Sequence, residues 1–409
     1  MDLLAQTVAE FHAAAGRAGA SSPFGTPETV LEPALQNFEP LALWLERGDT
    51  TPLHELRNWT EGEYAQRQNA FAARRNAGCV RECHGDLHLR NIAVLDGRPV
   101  AFDCIEFSDR LRWIDVMSEV AFVVMDFEDR GSRDLAWRFL NGYLEATGDY
   151  AGLEVLRFYL VYRALVRAKV HALRARQSGI GHAERQRLDR AVREYLGLAA
   201  HFAAPSASAL IITHGLSGSG KTSATQAILE RAGAVRVRSD IERKRLHGLS
   251  ALARSESSPG AGIYTKAATA ATYERLRHLA TAIVEGGYPA VVDAAFLKRS
   301  ERDAFRGAAA TLGVPFLILA FDAPEATLRE RVARRLGSGA DASEADLAVL
   351  ERQLADHDPI AADEMEDTIR VDTRWSRSPA LCEAVLQRLA AISRQNGMHP
   401  KALHHLASE

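Results

Sequence analysis

Two rhythms divide the chain. Up to about residue 203 the apolar positions recur mostly at helical spacing, and beyond 209 short apolar runs alternate with helical stretches. In the first part Leu4, Val8 and Phe11 mark one face of an opening helix, 59–75 reads as a second, and long helices dominate from 113 to about 198. Short strands are expected there over 81–83, 92–95 and 100–102. In the second part the pattern predicts strands over 210–213, 235–237, 290–292, 316–321 and 369–371. Helices fit over 221–231, 267–285, 299–311, 326–335, 344–355 and 380–393. Strands alternating with helices imply a three-layer α/β/α domain with a mostly parallel sheet, whose ligands bind at the carboxyl ends of the strands. The small-residue, proline-bearing stretch His201-Phe202-Ala203-Ala204-Pro205-Ser206-Ala207-Ser208 reads as the joint. Two domains are therefore expected, over 1–203 and 209–396, the first mostly helical and α+β in class, the second α/β.

Composition narrows the classes. The 409 residues are 47% hydrophobic and 25% charged, as in an ordinary globular protein. A net charge of −3 argues against a general electrostatic grip on nucleic acid or an acidic membrane, while leaving a local basic surface open. Four cysteines make no disulfide framework. Cys79 and Cys83-His84 lack a second matching pair, so a strand entering a loop is expected there rather than a zinc site. No run of about 18 apolar residues suggests a membrane span. No basic segment followed by an apolar core opens the chain, so a cytoplasmic protein is expected. The arginine-rich 157–176 fits a solvated helix face with an apolar underside. Oligomeric state stays open.

Chemistry enters at Gly215-Leu216-Ser217-Gly218-Ser219-Gly220-Lys221-Thr222-Ser223, which satisfies G-x-x-x-x-G-K-[ST] between an apolar strand and a helix. Its glycines let the backbone curl so that N–H groups face phosphate oxygens, and the following helix presents its positive end to the same group. Lys221 is expected to reach the β- and γ-phosphates and Thr222 to hold Mg²⁺. Gly215, Ser217, Gly218, Ser219, Gly220 and Ser223 complete the expected nucleotide site, for ATP or GTP. Asp240, just past the second strand, is a candidate base for an acceptor hydroxyl. Asp293 ends an apolar strand as a candidate Mg²⁺ partner. Arg331 and Arg335, four apart on one helix face with Arg334 one position off it, lead into the small-residue run 337–342 and suggest a lid closing on the transferred phosphoryl group.

These motifs resemble predicted ATP-dependent P-loop kinases related to zeta toxins and polynucleotide kinase. The matching residues are the phosphate loop, Ser239-Asp240, Gly260-Ala261-Gly262-Ile263-Tyr264, Val292-Asp293-Ala294-Ala295-Phe296-Leu297, and Asp341-Ala342-Ser343-Glu344-Ala345-Asp346 with Gln353. The resemblance spans nearly all of 209–393. It implies that Asp240 acts on the acceptor hydroxyl and that 260–264 lies near the acceptor, without naming the acceptor.

The first half carries a second ordered set: His84-Gly85-Asp86-Leu87-His88-Leu89-Arg90-Asn91, then Phe102-Asp103 and Trp113-Ile114-Asp115. It resembles the catalytic loop of aminoglycoside phosphotransferases and other kinase-like enzymes. That resemblance implies a hydroxyl-activating role for Asp86, Mg²⁺ ligation by Asn91 and Asp103, and support of the loop by Asp115. No lysine and no glycine-rich loop precede His84, so this half matches only the large lobe of that fold. Either its chain start is truncated relative to the family, or the half has become a binding or scaffold domain. Poor or absent independent activity is expected from it. The whole chain resembles two-domain proteins that fuse such a half to a P-loop kinase half. The leading expectation is an ATP- and Mg²⁺-dependent kinase acting on the hydroxyl of a small molecule or nucleic-acid end. The alternatives are a nucleotide-dependent regulatory protein, and an aminoglycoside-type phosphotransferase at Asp86.

Overall fold

The computed structural model describes residues 1–45, 50–205, 208–255, 257, 261–338, 342–372 and 379–395. The chain forms two compact units, Met1–Pro205 and Ser206–Glu409.

The first unit runs α1 (Asp2–Ala14), α2 (Pro27–Leu35), α3 (Phe38–Trp44), α4 (Thr51–Asn76), β1 (Val80–Glu82), β2 (Ile92–Leu95), β3 (Arg98–Ala101), α5 (Asp109–Arg112), β4 (Trp113–Asp115), α6 (Val116–Asp129), α7 (Arg133–Thr147), α8 (Leu153–Ala175) and α9 (His182–Ala203). Its strands form two antiparallel pairs, β1 with β4 and β2 with β3. At its centre lies α6, every residue of which from Val116 to Phe127 is buried. An apolar run on all sides is what a fully enclosed helix requires. Three expectations are corrected here. Phe11 is 41% exposed, because the buried stripe of α1 is Leu4, Ala5, Val8, Ala9 and His12. The second helix is α4, which starts eight residues earlier than its apolar spacing suggested because Thr51-Pro52 opens it. The arginines of 157–176 are not all solvated. Arg163 is buried on α8, and Arg157 donates to the carbonyls of Phe202, Ala203 and Ala204, closing the C-terminal end of α9.

The second unit runs β5 (Leu210–His214), α10 (Lys221–Ala232), β6 (Val235–Arg238), α11 (Ser239–Leu246), α12 (Lys266–Glu285), β7 (Ala290–Asp293), α13 (Arg299–Leu312), β8 (Phe316–Asp322), α14 (Glu325–Ser338), α15 (Leu347–Ala355), β9 (Thr368–Asp372) and α16 (Pro379–Gln395). Its five strands are parallel in the order β6-β7-β5-β8-β9. Ala224, Ile228 and Leu229 of α10 and Val385 and Leu389 of α16 pack on one face of the sheet, against Ile211, Val291 and Leu319. The other face is covered by α12, beside β6 and β7, and α13, beside β5 and β8. This is the α/β/α arrangement the alternating pattern predicts. It puts β5, and the loop that follows it, in the middle. The short α11 lacks an apolar stripe and went unpredicted.

One buried ion pair ties α13 to the chain before β9. Arg302, 1% exposed, meets fully buried Glu364 through Nε–Oε1 at 2.7 Å and Nη2–Oε2 at 2.8 Å. Arg302 Nη1 also donates to the Phe296 and Asp358 carbonyls. Burial pushes the Glu364 carboxyl pKa up, but the bonds from Arg302 and the Ala361 N–H outweigh it and hold the pKa below its ordinary value. A carboxyl depressed on folding stabilises above its unfolded pKa, and that contribution is lost as pH falls through the folded one. Arg302→Met strands a buried carboxylate and is expected to destabilise this unit by about 3–5 kcal/mol in urea unfolding at neutral pH. Adding Glu364→Leu should recover most of the loss. No recovery would mean the pair acts through packing alone.

Candidate active site

The loop between β5 and α10 is held by close backbone approach. A side chain at Gly215 (φ 150°) would meet the Phe321 carbonyl at 2.7 Å, and one at Gly218 (φ 83°) the Leu328 carbonyl at 2.9 Å. Only glycine permits both, so the loop lies directly against β8 and α14. Lys221 bends back over it, its Nζ donating to the carbonyls of Gly215 (2.7 Å) and Leu216 (2.8 Å). Desolvation lowers its pKa to about 8. The carboxylates of Asp293 and Asp240 oppose that shift, and Arg335 adds to it. Not every amide of the loop is open. Gly215 N–H donates to the Ala295 carbonyl, Ser219 N–H to that of Leu216, and Ser217 N–H to Gln353 Oε1 of α15 at 2.8 Å. The amides that begin α10 lie at a helix start, where the first N–H groups lack intrahelical acceptors.

A cavity of about 490 Å³ opens over this loop. It brings together most of the residues singled out in the sequence: Ser217, Gly218, Gly220, Lys221, Thr222, Ser223, Asp240, Asp293, Arg331 and Arg335. Arg334 lines it as well, although its helical position alone set it off the shared face. Gly215 and the buried Ser219 shape the loop from beneath rather than line the cavity. The strand order explains the layout. From central β5, the β6 side supplies Asp240 on α11, and the β8 side supplies the three arginines on α14. Arg331 Nη1 donates to the Gly218 carbonyl at 3.3 Å, and Arg335 Nη2 to that of Ala345 at 2.8 Å. Asp293, at the end of β7, is 6% exposed, and its Oδ2 has no hydrogen-bond partner. A buried carboxylate oxygen without a donor among the described residues, in the cavity that Thr222 also lines, suits a hard divalent cation such as Mg²⁺.

Sequence reasoning missed part of the rim. Glu344 accepts from Ser255 N–H at 2.9 Å and meets Lys244 Nζ at 3.1 Å, so the segment before α15 is fastened to α11 and the chain after it. Lys244 sits in the charged run Glu242-Arg243-Lys244-Arg245 of α11, which carried no signal of that contact. Of the segments expected near the acceptor, Tyr264 lines the cavity. Gly260, residues 339–341 of the expected lid, and Asp341 lie outside the described residues.

The ordered set in the first unit forms a second polar centre. Asn91 Nδ2 donates to the Asp86 carbonyl at 3.0 Å and to its Oδ2 at 3.3 Å. Asp103 is exposed, in the left-handed region at φ 61°. It is flanked by Phe102, whose carbonyl meets His84 Nε2 at 2.8 Å, and by Ile105, whose N–H donates to the His84 carbonyl. Asp115 does not hold this loop. It pairs with Arg74 at 2.7 and 2.8 Å and caps α6 through the Met117 N–H. Glu119 and Asp126 of α6 take that role. Seven residues apart, and so on one face of the helix, they accept from the N–H groups of His84, Gly85 and Leu89. Arg163 donates to the Gly85 carbonyl from the other side. Two acids inside the apolar run 116–127 were the legible signal. His12, Cys83 and Glu119 also stand at metal-ligand spacing. Both Glu119 oxygens already accept protein hydrogen bonds, and burial pushes the Cys83 thiol pKa well up. The trio is therefore a hydrogen-bonded core cluster. No helix among the described residues is long and apolar enough to cross a membrane.

Comparison with known proteins follows the same division. The phosphotransferase enzyme family (APH) matches residues 1–159, and an AAA domain family matches 210–360. Uncharacterized proteins of Mycobacterium tuberculosis (strains H37Rv and CDC 1551) and Mycobacterium bovis are each 28% identical over 361 residues, covering 88% of this chain and 71% of their own. Among solved structures, the chain is similar to a sugar kinase from Janibacter sp. HTCC2649. That match has 21% identity and TM-score 0.35, and covers 47% of this chain and 99% of the other. A gluconokinase from Sinorhizobium meliloti 1021 shows 26% identity and TM-score 0.29, covering 47% and 94%. Scores this low add nothing to the geometry above. The family matches do, and they make this chain a two-domain protein in which a domain of the phosphotransferase enzyme family precedes a P-loop kinase-type domain.

Proposed function

We propose that the second unit is an ATP- and Mg²⁺-dependent kinase that transfers the γ-phosphoryl group to a hydroxyl of a small molecule. The observation that carries this reading is the convergence on one cavity of a phosphate loop, the Asp240 carboxylate on the β6 side and three arginines on the β8 side. A nucleotide switch needs the loop, but has no use for an acid facing the site where a second substrate would lie.

Each residue then has a task. Lys221 and the amides at the start of α10 hold the β- and γ-phosphates. Thr222 and Asp293 would hold Mg²⁺, which supplies neutralisation of phosphate charge. Asp240 takes the proton of the acceptor hydroxyl as that oxygen bonds to the γ-phosphorus. The bond from phosphorus to the bridging oxygen breaks, and ADP leaves with the electron pair. Arg331, Arg334 and Arg335 offset charge on the transferring group.

Lys221→Ala is expected to lower phosphoryl transfer by about 10²–10³-fold, and Asp240→Asn by about 10²–10⁴-fold with Mg·ATP affinity kept. Both are read by γ-phosphate transfer and calorimetry. Wild-type transfer by Lys221→Ala would end the kinase reading. The lowered Lys221 pKa sets a pH dependence as well. Below about pH 8 the ammonium is already protonated and ready for phosphate. Above it, binding must first recover a proton, so Mg·ATP affinity should be flat below pH 7 and weaken as pH rises past about 8. In Lys221→Met that weakening should be absent.

A further inference from the structure

Resting on the kinase reading, the acceptor wall itself carries charge information. On the β6 side of the cavity, α11 presents Asp240 and, three residues on, Arg243. Arg243 is only 8% exposed. Its Nη1 donates to the Ile263 carbonyl at 2.9 Å and the Thr269 hydroxyl at 3.2 Å, and its guanidinium lies over the Tyr264 ring, 5.2 Å from the centroid. These partners are all neutral. No ion pair joins Arg243 to a carboxylate among the described residues, and its Nε has no hydrogen-bond partner. Burying a guanidinium without a counter-charge is costly, and proteins almost always pair one.

The cavity's own acids do not supply that charge. Glu344 is engaged by Lys244 and Ser255. Asp346 caps α15 through the Val349 N–H. Asp293 faces the metal position. Asp240, three residues before Arg243 on the same helix, forms no ion pair with it among the described residues, and Arg243 Nη1 is directed instead to Ile263 and Thr269. Side chains three apart on a helix spring from Cβ atoms about 5–6 Å apart. Both groups line one cavity, so a single small molecule lying in it can meet the carboxylate and the guanidinium together.

We propose that the acceptor is a small polyhydroxylated anion, its carboxylate or phosphate held by Arg243 and its hydroxyl, a few bonds away, presented to Asp240. The triphosphate occupies the cations of the β8 side and Lys221, which leaves the β6 side, lined by Arg243 and by Arg238 at the end of β6, for the second substrate. The phenol of Tyr264, stacked beneath the guanidinium, keeps that cation in place and floors the acceptor pocket.

The test is γ-phosphate transfer by the full chain to three sets of acceptors: carboxylates (D-gluconate, D-glycerate), phosphates (glucose 6-phosphate, glycerol 3-phosphate) and neutral polyols (glucose, glycerol). Transfer to one anionic set, at kcat/KM at least about 10-fold above the neutral set, is expected, and the productive set identifies which anion Arg243 takes. Arg243→Met should raise KM for that anion by about 10- to 100-fold, the worth of a charge-assisted hydrogen bond. It should leave KM for Mg·ATP unchanged, and Arg243→Lys should restore part of the loss. Equal or better use of neutral polyols by the wild type overturns the proposal without relying on any variant. So does an unchanged anion KM in Arg243→Met, or no transfer to either anionic set while Mg·ATP still binds. Absence of Mg·ATP binding, by contrast, would fell the kinase reading itself.

Discussion

The second unit depends on a backbone contact that tolerates no side chain. Gly215 and Gly218 bring the loop after β5 against the Phe321 and Leu328 carbonyls, so the loop, the end of β8 and the first turn of α14 move as one piece. Anything larger at either position would push α14 outward and take Arg331, Arg334 and Arg335 with it. The glycines therefore do two jobs. They open the curl that receives phosphate, and they fix the distance between that curl and the arginine helix. Lys221, bonded to the loop's own carbonyls, keeps the curl shaped without an anion present.

Around that fixed centre the charges sort by strand order. Because β5 lies between β7 and β8 with β6 beyond, the connections after β6 and β7 fall on one side of the loop and the connection after β8 on the other. One side gathers the arginines of α14, the other Asp240 with Arg238 and Arg243. The Lys244–Glu344–Ser255 contacts then tie the two sides together over the cavity. Such partly buried contacts hold a rim in place at little gain in stability, since the desolvation of Lys244 offsets most of the attraction. Their effect is on geometry.

How much of this was written in the sequence depends on the kind of interaction. The phosphate loop and the five strands were legible because local rules produce them: glycine spacing before a Lys-Thr pair, and short apolar runs buried on both faces. The apolar stripe of α1 was misplaced by one position at Phe11, since periodicity alone does not say which neighbour packs against the stripe. Arg243, Lys244, Arg163 and Glu119 were not legible as site or anchor residues, because each gains its meaning from a partner far along the chain. Arg163 and Gly85 are 78 residues apart, and Lys244 and Glu344 are separated by a hundred. A charged residue within an apolar stretch signals that such a partner exists. It does not say which one.

The first unit shows why a motif and an activity must be argued separately. The loop 84–91 is held by two buried acids of α6 and by Arg163 of α8. Glu119 also meets His12 and Asp126 also meets Arg130, and the loop's N–H groups complete the set of partners that these buried acids of an apolar helix require. The loop conformation that sets Asn91 against Asp86 is therefore required by the core of the unit, whether or not a phosphoryl group is ever transferred there. In the second unit the reasoning runs the other way. Arg243 is buried with only neutral partners, its Nε and Asp293 Oδ2 have no hydrogen-bond partner among the described residues, and a ligand in the cavity would supply what they lack. Groups left open to a ligand and converging on a cavity, rather than a well-satisfied motif, are what support the proposal that phosphoryl transfer takes place in the second unit.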